Sequence, residues 1–251
     1  MTFILIISIF LLEKKNNMNR LQLLISLILL SLFMSSCSKS GFIIFQQEDP
    51  YIFSKEVLRS YVSETEQPKV VLRVPTLNVN VIEKEKVFYN SLYNAIELEL
   101  LNANFIVRDR VVFNDIVKNA NDLGYEELRE RTDTDIIIEL INIDIGVEYT
   151  TNRYYTESGK EKLMNVGESA TEYGALVEFK VVLLESNDVS GIYKFNYAPC
   201  VKGCRYNKAV YSKNYNSNFM EEVEAYELIE RDILADFMSM STKRLIRDLG
   251  K

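Results

Sequence analysis

The residues of this 251-residue chain with chemistry to offer are three cysteines, an acidic run between positions 133 and 144, and a crowd of tyrosines in the second half. Histidine is absent. That removes the usual neutral-pH general base and the commonest metal ligand, and so excludes a Ser-His-Asp triad, a Cys-His pair and a His-based zinc site. Cys200 and Cys204 lie in Pro199-Cys200-Val201-Lys202-Gly203-Cys204, a short turn-like segment. A disulfide there would close a small loop and pin its tip. Free thiols are a second reading; a redox centre is a third, weakened by a spacer longer than the two residues redox motifs use. Asp133, Asp135, Glu139 and Asp144 could hold a hard cation or act as acid and base in glycosidic cleavage. Their spacing matches no calcium loop, and a solvated strand edge needs the same residue types. The chain carries no Walker loop, no GxGxxG and no GxSxG, so the expectation is a non-enzymatic protein without metal or dissociable cofactor. Nine of the 15 tyrosines lie between Tyr149 and Tyr215. Tyrosine suits a binding surface because its ring buries area while its hydroxyl stays wet, although strands also favour it. If this region carries a working surface, Tyr154, Tyr155, Tyr206 and Tyr211 are its expected anchors.

These residues must be positioned by what precedes and surrounds them. The first apolar run, Thr2 to Leu12, is far short of a bilayer span. After Glu13-Lys14-Lys15-Asn16-Asn17, a second pattern starts at Met18: a basic residue, Arg20, an apolar stretch from Leu21 to Met34, then small residues. This is the layout of a secretory signal, with Met18 as the expected start; a membrane hairpin over 1–34 is the rival. Phe33-Met34-Ser35-Ser36-Cys37 resembles the lipobox of bacterial lipoproteins, with Met34 and Ser36 as loose matches. The resemblance implies cleavage after residue 36 and diacylglycerol and acyl chains, such as palmitate, on Cys37. It implies a membrane held through that lipid and a cell-envelope location, on the outer membrane facing the periplasm or on the inner membrane. An oxidising compartment then favours the Cys200–Cys204 disulfide. The formal net charge is −7, and without residues 1–36 it becomes −9. Such a body lacks the excess of Lys and Arg that nucleic acid requires.

The expected layout is a signal peptide over 1–36, a tether with a short helix over 37–67, and an α/β domain over 68–251. Lys69 to Val74 reads as a buried strand. Phe88, Leu92, Ile96, Leu100 and Ala103 form one helical stripe. Phe105-Ile106-Val107 is a second strand, and Phe113, Ile116, Val117 and Ala120 mark another helix. Ile136-Ile137-Ile138 is apolar on both faces, as a central strand should be. From Ile141 to Tyr149 strict alternation predicts a strand with one wet face. Residues 150–172 read as a long connection or extended hairpin tip, 175–185 and 192–197 as strands, and 198–218 as a second long loop. A final helix would bury Tyr226, Ile229, Ile233, Phe237 and Met240, with acids at its start and bases at its end. The order β-α-β-α-β-β-β-α predicts a mixed sheet of about five strands with helices packed on it.

Asn104-Phe105-Ile106-Val107-Arg108-Asp109-Arg110 after a long helix, then Thr134-Asp135-Ile136-Ile137-Ile138-Glu139, then Val189-Ser190-Gly191-Ile192, resembles the curli production assembly/transport component family. The order is also similar to the lipoprotein activator of penicillin-binding proteins and to N-terminal domains of the TolB type. The resemblance implies a lipid-anchored periplasmic domain that works by binding an envelope protein or further copies of itself. In the curli branch two loops become hairpins of an oligomeric outer-membrane pore. The matching loops would be 147–174 and 193–218. Asn152, Arg153, Glu157, Lys160, Glu161 and Lys162 interrupt the apolar alternation that a pore wall needs. A secretion channel therefore stands as the alternative to a scaffold, and an envelope hydrolase using the acidic run as the weaker one.

Overall fold

The computed structural model describes residues 40–74, 83–118, 124–207 and 228–251. Cys37, Tyr211, Tyr226 and the acids expected to open the last helix lie outside them. The first elements are β1 (Ser40–Ile43), β2 (Tyr51–Ser54), α1 (Glu56–Glu64), β3 (Lys69–Arg73), α2 (Glu83–Asn102), β4 (Ile106–Arg108), α3 (Arg110–Lys118) and α4 (Tyr125–Thr132). They are followed by β5 (Ile136–Thr151), β6 (Arg153–Tyr155), β7 (Glu161–Leu163), β8 (Ala170–Leu183), β9 (Asp188–Tyr197), β10 (Cys204–Asn207) and α5 (Arg231–Asp248).

Two sheets result. The larger has six strands in the order β2-β9-β8-β5-β3-β4, and the smaller has four in the order β10-β1-β6-β7. In the larger sheet β3 pairs parallel with β4 and β5, as βαβ crossovers require. β5, β8 and β9 form an antiparallel meander. The mixed α/β class and the five expected strands are present, with β2 as a sixth. Residues 40–43, expected as tether, and 51–54, overlapping a short helix expected over 52–61, are strands in the two sheets, and the helix begins only at Glu56.

The main core lies on one face of the large sheet. Val70, Leu72, Ile136, Ile138, Leu140, Val177, Phe179 and Val181 meet Phe88, Leu92, Ile96 and Leu100 of α2 and Leu234, Phe237, Met238 and Leu245 of α5. The expected α2 stripe is therefore the buried one, and Asn104 ends this helix with a left-handed backbone. A smaller core sits on the opposite face at one end, where Phe113 of α3 and Leu128 of α4 cover Val71, Ile137 and Val182. Asp109 caps α3 by accepting the amides of Val111 and Val112 at 2.7 and 3.1 Å.

Two expectations about side-chain direction fail for physical reasons. Ile141 is exposed because the register of β5 against β8 shifts between Leu140 and Asn142. A bulge inserts one residue and reverses the phase of everything after it. Met240 is exposed, whereas Met238, Ser241 and Thr242 are buried. The buried face of α5 runs through small hydroxyl residues that a hydrophobic stripe does not reveal; Thr242 satisfies its hydroxyl on the carbonyl of Met238 at 2.8 Å.

Candidate functional site

The acidic run disperses into structural pairs. Asp133 binds Lys69 at 2.5 Å and also Arg108. Lys69 and Arg108 hold its carboxyl below the usual range. Asp135 accepts the Lys69 amide at 3.1 Å and lies 3.5 Å from Arg129. Glu139 sits between Arg73, at 3.2 Å, and Lys180. Asp144 accepts the Gly146 amide at 2.9 Å, inside the second irregularity of β5. Among the described residues no group of three or more His, Cys, Asp or Glu side chains could hold a metal ion.

The tyrosine-rich half builds the small sheet. Gly41, Ile43 and Phe45 face inward with Tyr154 and Tyr206, forming a compact core with Met164 and Ala170. The rings of Tyr154 and Tyr206 lie 5.1 Å apart and are only 7% and 3% exposed. Of the expected anchors, these two therefore support the sheet from within, and Tyr155 is half-buried on its other face. Gly41 must be glycine: a Cβ there would stand 2.5 Å from the Tyr155 carbonyl oxygen and 2.8 Å from the Tyr154 ring. Cys200 and Cys204 lie at disulfide distance, with Cα atoms 4.9 Å apart. They close the turn leading into β10, where Gly203 takes a left-handed backbone and donates to the Cys200 carbonyl at 2.9 Å. Tyr149 joins the two sheets, its ring 5.8 Å from Phe45.

The register places Arg205, Phe42, Tyr155 and Glu161 in one row across the outward face of this sheet. Ile44 and Leu163 extend the row's apolar part, and both are exposed. Arg153 binds Glu161 at 2.9 Å on the same face.

A second open surface is the β2 edge of the large sheet. β2 pairs with β9 through Tyr51–Lys194, Ile52–Tyr193, Phe53–Ile192 and Ser54–Gly191, and among the described residues no strand lies on its other side. Tyr51 and Phe53 are 57% and 44% exposed, and Ile192 beside them is exposed as well. From there the face turns polar, with Lys194 3.6 Å from Glu178 and the pairs around Glu139 beyond. The strand is fixed from behind by Asp248 at the end of α5. Its carboxylate accepts the Ser54 hydroxyl at 2.7 Å and the Tyr193 hydroxyl at 3.0 Å. Sequence reasoning missed both β2 and Asp248. The Tyr-Ile-Phe triplet after Pro50 is the available signal, although the expectation over 52–61 is a short helix.

The opposite edge, β4, is blunted. It is three residues long, flanked by α2 and α3, and its Arg108 is bound to Asp133. Short strands and charged side chains are the usual protection for an edge. β2 is only one residue longer, but its own four residues carry no charge: Glu48 and Asp49 precede it, and Lys55, paired with Asp188, follows it.

The sequence matches no protein-family model, and no curated protein matches it. Among solved structures, the PelC dodecamer from Paraburkholderia phytofirmans is similar at 8% identity and a TM-score of 0.33, over 78% of this chain and 96% of that one. A hypothetical protein from Chlamydia trachomatis is similar at 12% identity and a TM-score of 0.27, over 73% of this chain and 93% of that one. Likenesses this loose assign neither a family nor a role. Among the described residues no helix is long and apolar enough to cross a membrane.

Proposed function

We propose that this protein is an envelope lipoprotein, held to a membrane by acyl chains on Cys37, that works without catalysis by binding another protein along the β2 edge of its large sheet. The observation that carries the binding role is the open edge itself. Tyr51, Ile52 and Phe53 are all exposed on a strand whose outer hydrogen-bonding side has no partner strand among the described residues. An unprotected edge offers a ladder of backbone donors and acceptors, and its side chains supply specificity to an added strand. Its ladder with β9 and the Ser54 hydrogen bond to Asp248 hold the strand in place before any partner arrives, which lowers the ordering cost of binding. The anchoring part of the reading is supported by the signal-like segment and the sequence around Cys37. The partner is an envelope protein or a second copy of the chain.

Site-specific photocrosslinking in intact cells tests the binding role. A benzophenone side chain at Tyr51 or Phe53 is expected to give a discrete adduct, whose mass separates a self-adduct from a foreign partner. The same group at Val112, exposed on α3 away from this edge, is expected to give none. Absence of an adduct from both edge positions in folded, membrane-associated protein would remove the edge as the binding surface.

A further inference from the structure

We propose that the outward face of the small sheet lies against the surface of the bilayer, so that the protein touches its membrane through a protein surface as well as through lipid. The proposal rests on acylation of Cys37 and assigns that anchor a structural consequence. β1 starts at Ser40, three residues beyond Cys37. Three residues of extended chain reach at most about 11 Å. A central strand of this sheet therefore begins within about 11 Å of the acylated residue, however the intervening residues run.

What the face presents fits that neighbour. Phe42, Ile44 and Leu163 are exposed on it, with the half-buried ring of Tyr155 between the strands of Phe42 and Glu161. Arg205 flanks Phe42 in the same row, and Lys202 is exposed on the turn closed by the disulfide. The acid of the row, Glu161, is bound by Arg153 and also accepts the Tyr155 hydroxyl at 3.3 Å. Aromatic and aliphatic side chains with a cationic rim form the pattern of surfaces that settle at the headgroup boundary. The rim is complementary to anionic headgroups even though the chain as a whole is acidic. The buried rings of Tyr154 and Tyr206 and the Cys200–Cys204 link hold the face rigid from behind.

The absence of tryptophan from the chain makes the test direct. Full-length protein, purified with its native N-terminus, carries Phe42→Trp, Leu163→Trp or the control Val112→Trp. Each is reconstituted into vesicles of phosphatidylethanolamine and phosphatidylglycerol, with or without acyl chains brominated near the glycerol, and Cys37 is checked by mass spectrometry. Emission from Phe42→Trp and Leu163→Trp is expected to fall about twofold or more in brominated vesicles, as for a side chain at the acyl boundary, while Val112→Trp is unchanged. Two exposed reporter positions guard against a local misfold at either. Acylated Cys37 with neither face reporter quenched would overturn the proposal and leave the anchor standing. An unacylated Cys37 would overturn both.

Discussion

In the large sheet, Ile136 and Ile138 enter one core and Ile137 enters another. In the small sheet, Gly41, Ile43 and Phe45 turn inward while Phe42 and Ile44 face out with no element of the described chain to cover them. The large sheet is thus stabilised from both sides by helices. The small one has a single cluster of six buried residues beneath it, pinned at a turn by a disulfide. With far fewer buried apolar side chains than the large-sheet core, it has less apolar burial to stabilise it. The difference divides the labour: the large sheet supplies a stable frame, and the small sheet presents a rigid face beside the expected anchor.

Truncation in the two cores should separate them. Phe179→Ala, in the centre of the large-sheet core and fully buried, is expected to cost about 3–5 kcal/mol in global stability, read as a lower denaturant midpoint. Tyr154→Ala removes one of the two tilted, contacting rings of the small core. It is expected to abolish amide protection in β1, β6 and β10 while β5, β8 and β9 keep most of theirs, because local units open below the global free energy. Equal loss of protection in both sheets would mean that they unfold as one unit and would end the comparison.

A smaller effect should appear in alkali, to which two phenols of the large-sheet core contribute. Burial pushes the phenol of Tyr93 up to about 12, and burial also raises that of Tyr193 above the ordinary value. Both phenols stay neutral in the folded chain after the unfolded chain has begun to ionise. Their contribution to stability is therefore complete below about pH 10 and is lost progressively as the pH rises above it. Urea midpoints taken at rising pH should decline from that point, and Tyr93→Phe/Tyr193→Phe should flatten the decline. An unaltered slope in the double variant would assign the alkaline loss to other groups.

Much of the frame was legible because long periodic segments report their own burial. The α2 stripe and the two-faced Ile136-Ile137-Ile138 run are the clearest cases, since each needs only local spacing to be read. The features that make the surfaces were harder. β2 is four residues long and apolar on both faces, so no alternation marked it. Ile141 carried the right alternation and was thrown outward by a bulge that depends on pairing with β8. The tyrosine crowding was visible, but the direction of each ring follows from the register of β6 and β10 about β1. Register is a long-range property that composition does not carry. Nothing local marks Asp248; its role appears only when Ser54, 194 residues earlier, and Tyr193, 55 residues earlier, meet it.

The exposed face of the small sheet and the oxidised cysteine pair both acquire their meaning from the proposed anchor at Cys37, a few residues before β1. Mass spectrometry of the N-terminal peptide from the protein isolated from its native cells tests this directly. The expected result is a peptide that begins at Cys37 and carries the mass of a diacylglyceryl group with or without a further acyl chain. A peptide retaining residues from before Cys37, or one beginning there with an unmodified thiol, would contradict it.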